Sequence, residues 1–228
     1  MEIIDIRKDP FSDKKYHGFA GVFRRGHVLY KNYLRKPMRI VLIIFFGVAI
    51  ASAIFFYIYR DHAMNIISQF MDEMAGTGVI DSDNNISVVG LWANNVRAAG
   101  NAWLFGLVPF IYLPVFSVII NAGMMGILTG YIGATTGASF FSSALVSLIG
   151  VIPHGIFELT ALFLCMSMGM ALCTYINRRI LKKYEPWTFD IIMQEMAIYF
   201  VTRIIPLLTV AAVVEVYVTP LVLGAFGA

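Results

Sequence analysis

From Ile40 to Tyr59 the chain runs through twenty residues without one charged side chain. At 1.5 Å per helical residue, such a run matches a hydrocarbon core of about 30 Å. Lipid cannot satisfy open strand edges or irregular loops, so several runs of this kind point to a bundle of helices. The chain has 18 Phe and 12 Met, 59% hydrophobic residues and only 14% charged ones. A soluble domain has about 25% charged residues. The sequence therefore predicts an all-α, polytopic membrane helix bundle with about five transmembrane spans and the lipid bilayer as its first partner.

The charge is unevenly placed. Residues 1–39 carry Arg7, Lys8, Lys14, Lys15, Arg24, Arg25, Lys31, Arg35, Lys36 and Arg39. A basic flank before the first span predicts a cytoplasmic N-terminus in a multi-pass protein of the cell membrane. Phe19, Val22, Phe23, Leu29, Tyr30, Tyr33 and Leu34 recur at helical spacing. They predict an amphipathic helix on the inner leaflet, broken by Pro37. A partner-binding arm is the rival reading. No small-residue cleavage site follows the first apolar run, which argues against a signal peptide. The expected division is a cytoplasmic basic amphipathic segment, 1–39, and a transmembrane helical domain, 40–228, with an external loop at 60–92. Met64 to Met71 can form a short surface helix in that loop. Asp81-Ser82-Asp83-Asn84-Asn85 reads as turn chemistry and lacks the rest of a calcium-binding loop.

Span two is expected at about 93–113 and span three at about 115–135. In the latter, Gly126-x-x-x-Gly130 favours close helix approach. Residues 139–175 are too long for one perpendicular span. Pro153 divides them into a broken or re-entrant half-helix, 139–151, and span four, 153–175. Arg178, Arg179, Lys182 and Lys183 mark the next cytoplasmic loop, and span five covers about 197–218. Cys165, Gly169 and Cys173 form a stripe of small residues at spacing four. It suits helix packing rather than redox or zinc chemistry.

Few polar side chains fall inside these spans, and such groups are costly in lipid unless they find partners. Asn94, Arg97 and Asn101 share one helical face, with Asn95 beside them. Asn121 lies in span three, His154 and Glu158 share a face of span four, and Glu215 lies in span five. The topology places Arg97, His154, Glu158 and Glu215 near outer helix ends at similar depth. The expectation is that Arg97 pairs with Glu158, while Asn94, Asn101 and His154 satisfy the remaining donors and acceptors. Such a cluster can be a structural latch, a site for a substrate, lipid headgroup or proton, or a metal site. For zinc, His154 and Glu158 supply two ligands, but His17, His27 and His62 lie outside the spans, so three ligands do not assemble. Ser142, Ser143, Ser147 and Ser167 show no nucleophile elbow. No catalytic, cofactor-binding or metal residue is assigned, and no cofactor is expected. Arg203 lies a few residues into span five, where it can snorkel to the inner interface.

Asn94-Asn95-x-Arg97, Asn121-Ala122-Gly123 and Pro153-His154-Gly155-x-x-Glu158 resemble the polar signatures of the stage II sporulation protein M family. The resemblance covers about residues 40–225 and is closest to the broader branch of integral membrane proteins found in many bacteria and archaea. It implies five spans and, from the namesake, a sporulation scaffold that helps recruit cell-wall-degrading proteins. The resulting expectation is a non-enzymatic component of an envelope-remodelling or sporulation-type membrane complex. It would have membrane or envelope protein partners, could form a homo-oligomer, and would have no nucleic-acid partner. The alternative is a transporter or exporter subunit using the Arg97, His154 and Glu158 cluster.

Overall fold

A computed structural model describes Phe11, residues 16–76 and residues 87–225. Helices α1 (Gly18–Leu29) and α2 (Arg35–Ile58) are joined through a wide π-turn, Tyr30–Leu34. They are followed by α3 (Arg60–Gly76), α4 (Val88–Leu104), α5 (Pro114–Thr136), α6 (Phe140–Ile180), α7 (Phe189–Tyr199), α8 (Ile205–Tyr217) and α9 (Thr219–Ala225). No strand occurs among the described residues. The Asp81–Asn85 run lies outside them.

Among the described residues, four helical stretches are long and apolar enough to cross a membrane: Gly18–Ile58, Pro114–Thr136, Phe140–Ile180 and Phe189–Tyr217. The shorter α4 makes a fifth traverse. Its N-terminal half packs on α8 through Trp92 Nε1, which donates to Thr209 Oγ1 at 3.1 Å. The loop after it reaches the C-terminal part of α6, where Phe110 N donates to Asn177 Oδ1 at 2.8 Å. The chain thus runs back and forth five times between an end rich in Arg and Lys and an opposite end that carries α3 and α9. The all-helical membrane bundle expected from the sequence is borne out.

Helix α6 is the axis. Residues Ala161 to Cys173 are buried all round, and α2, α4, α5 and α8 pack on the helix. A helix apolar on every side belongs at such a centre. By contrast, Ile43, Phe46 and Ile50 of α2 are 74%, 57% and 62% exposed, forming a face suited to lipid. Gly126 and Gly130 of α5 lie so close to Ser52, Ala53 and Phe56 of α2 that a side chain would strike backbone atoms. The small stripe on α6 works the same way. Gly169 meets Ala102 and Pro114, and Cys173 Sγ lies 3.3 Å from the Val108 carbonyl. Gly137, at φ +67°, ends α5 in the left-handed conformation, and the Ser139 hydroxyl accepts from Ser142 N to start α6.

Several expectations are corrected. The half-helix before Pro153 is absent, because α6 continues through Pro153 for 41 residues. Proline removes one backbone bond and crowds the preceding turn, but membrane helices tolerate this when neighbouring helices support them. Here Pro153 is half-buried, and α6 runs on into its fully buried stretch from Ala161 to Cys173. Pro37 likewise fails to break the helix from α1 into α2. The π-turn just upstream, with Arg35 N donating to Tyr30 O, widens the backbone ahead of the ring. The same device recurs at Phe200–Ile204, upstream of Pro206. The helix is therefore unbroken across residues 39 and 40. The 60–92 stretch is helical from Arg60 to Gly76, more than the short surface helix expected. The last long helix begins at Phe189 rather than near 197, where the Thr188 hydroxyl caps Ile191 N.

Candidate functional site

His154 and Glu158 sit one turn apart on α6, and Glu215 sits near the C-terminal end of α8. One ligand-capable atom of each lies within 4.8 Å of the other two. All three side chains are half-buried. Packing of α6 against α8 brings the trio together, and α9 completes it. His154 Nδ1 lies 3.1 Å from Thr219 Oγ1. The Thr219 hydroxyl also lies 3.4 Å from the Val214 carbonyl, which can only accept. With the hydroxyl proton on that carbonyl, the Thr219 oxygen accepts from His154 Nδ1–H. That tautomer leaves a lone pair on Nε2.

The carboxylates are otherwise poorly served. Glu215 Oε2 is buried without a hydrogen-bond partner. Neither Glu158 nor Glu215 forms an ion pair among the described residues. Chemically, the arrangement is one imidazole and two carboxylates from two helices, with a bare nitrogen lone pair and a bare oxygen. It can hold a proton shared between carboxylates, a cation, or a small polar ligand.

The other polar residues singled out in the sequence go elsewhere. Arg97 is exposed and its Nη2 donates to Asn94 Oδ1 at 3.2 Å. The expected Arg97–Glu158 pair is thus corrected, because the arginine satisfies itself on its own helix at spacing three. Asn101 is exposed, and Asn95 is buried with Nδ2 unpartnered. Asn121 Nδ2 donates to Ser117 O at 2.8 Å within α5. Ser167 bonds back to the Phe163 carbonyl at 2.5 Å. Arg203 reaches α1 at the basic end, where its guanidinium lies 4.1 Å from the centre of the Phe23 ring.

Two features escaped the sequence reading. One is Thr219, which lies four residues beyond Glu215, a helical spacing that was open to view. The other is the set of ion pairs at the basic end. Arg25 of α1 grips Glu195 of α7, with Nε donating to Oε2 at 3.0 Å, and Glu195 is 3% exposed. Arg178 pairs with Glu185 and donates to the Tyr184 carbonyl at 3.3 Å. Trp187 packs between Tyr33 and Phe11, with ring centres at 4.8 and 5.3 Å, and its carbonyl accepts from Tyr175 at 3.0 Å.

Compared with known proteins, residues 42–220 match the family described as Stage II sporulation protein M. An uncharacterized protein of Methanocaldococcus jannaschii, MJ0793, is 32% identical over 138 residues, which cover 60% of this chain and 67% of that one. No solved structure matches.

Proposed function

Because this chain belongs to the Stage II sporulation protein M family, we propose that it is a non-enzymatic scaffold of a sporulation-type membrane complex that remodels the cell envelope. The supporting observation is the docked basic arm. The Arg25–Glu195 pair and the Arg203–Phe23 contact hold α1 against the bundle, and Trp187 packs on Tyr33 of the π-turn that follows it. Lys31, Arg35, Lys36 and Arg39 are exposed along the same unbroken helix. The positive-inside rule puts this end in the cytoplasm and α3 outside. Next to an anionic leaflet, each basic residue adds about 1 kcal/mol of attraction. Two surface cavities, of about 470 and 880 Å³, also lie at this end and are lined in part by Arg24, His27, Lys31, Lys36 and Arg178. A fixed, basic, partly hollow surface suits the capture of membrane or envelope partners.

Crosslinking in native membranes, followed by purification, tests this reading. Partners should be captured by the wild type and lost in Glu195→Ala, which frees the arm, while the spanning bundle keeps its helicity. A chain that purifies alone, with arm variants indistinguishable from wild type, refutes it. The second reading, a transporter or exporter subunit, is favoured by the trio of His154, Glu158 and Glu215 within the spans. It requires flux that disappears in folded Glu158→Gln protein.

A further inference from the structure

We propose that His154, Glu158 and Glu215 form a binding site for one borderline divalent cation of the Zn2+ class, clamping α6 to α8. The proposal does not depend on the scaffold reading.

The donor atoms of the trio suit such an ion. Imidazole nitrogen with carboxylate oxygen suits Zn2+, Fe2+ or Mn2+, whereas soft Cu(I) prefers thiolate or thioether. The buried Cys165 and Cys173 stand apart from the trio and serve helix packing. Three protein ligands with a fourth position left open is a common zinc arrangement. Bonds of about 2.1 Å place two ligands of one tetrahedral ion roughly 3.4 Å apart. Here the ligand atoms lie within 4.8 Å of one another. The side-chain torsions of two glutamates offer the means to close that gap.

The charge of the trio also calls for a cation. Two carboxylates face each other in a poorly solvated setting, and neither has an arginine or lysine ion pair among the described residues. An uncompensated buried charge costs several kcal/mol. A divalent cation neutralises the two together, and its bond would occupy the orphaned Glu215 Oε2. The histidine is also held in a ligand's orientation. Metal-bound histidine commonly donates its other ring N–H to an oxygen that sets its tautomer. Thr219 provides that oxygen at 3.1 Å. The ligands also come from two different elements, so a bound ion would tie α6 to α8 just where α8 gives way to α9.

The test uses the full chain, purified in detergent and equilibrated with Zn2+ or Co2+ before free metal is removed. Wild type should retain roughly one Zn2+ per chain by elemental analysis, and bound Co2+ should show visible d–d absorption of a low-coordinate site. Glu215→Gln and His154→Ala should lose both signals while keeping wild-type elution and helicity. Thr219→Val, which leaves every ligand in place, should weaken Zn2+ affinity about 10- to 100-fold. Arg97→Ala should bind as wild type does. The proposal is overturned if folded wild type retains less than about a tenth of an equivalent. It also falls if Glu215→Gln and His154→Ala retain as much metal as wild type, since surface histidines would then be the holders.

Discussion

The two ends of the bundle treat half-hidden carboxylates in opposite ways. At the basic end, Glu195 and Glu185, 3% and 8% exposed, each carry an arginine. Toward the other end, Glu158 and Glu215 lie close together beside a histidine and carry none among the described residues. Arginine is not lacking in the spans, since α4 offers Arg97, but that side chain turns to Asn94. Where the fold needs a carboxylate for support, it supplies the counter-charge from the chain itself. Where it leaves two without one, the compensation has to be a proton or an external cation. Pairing thus separates charges that hold the molecule together from charges available for binding.

That contrast can be broken by mutation. The largest expected effect is at Glu195→Ala, which removes the buried carboxylate that Arg25 of α1 grips. Removing one partner of a buried pair costs about 3–5 kcal/mol, and the loss should appear in reversible unfolding in detergent. Glu185→Ala should cost less, roughly 2 kcal/mol, because the Arg178 side chain is 49% exposed and water can replace the lost partner. Calorimetry of the two variants side by side would show whether they rank this way.

Glu215→Gln should behave differently in chelator-treated protein. It removes an unpaired charge rather than stranding one, so it should be neutral or stabilising, within about 1 kcal/mol. Destabilisation as large as that of Glu195→Ala would erase the distinction between the two ends. The smallest effect belongs to Arg97→Ala, at most about 0.5 kcal/mol. A double-mutant cycle with Glu158→Gln should give no coupling beyond experimental error. Measurable coupling would restore the Arg97–Glu158 pair.

The sequence showed a good part of the site. His154 and Glu158 announce themselves as ionisable groups four residues apart in an apolar run, and Glu215 is the remaining acid of its span. Their convergence was not visible, since it depends on the register of α8 against α6. The third ligand is not one of the histidines outside the spans but a glutamate that the packing supplies. Arg97 misled because opposite charges at similar depth look like partners. Local geometry offered it Asn94, three residues away and already on its face. The prolines misled for a related reason. Their local cost at Pro37 and Pro153 is real, but an upstream π-turn absorbs it at one, and α6 runs unbroken through the other into its fully buried stretch.

Read alone, the chain determined the solvent it lives in, the helical class, the small-residue seams and the basic flank. All of these follow from transfer energies and one-dimensional spacing, which hold whatever the neighbours are. Only the tertiary structure decided which carboxylates obtained an arginine, that α6 would be the unbroken axis, and that α1 would dock on α7. Those outcomes depend on the relative rotation and register of helices far apart in sequence. A shift of one residue turns a side chain by about 100° on a helix, enough to move Glu215 away from His154.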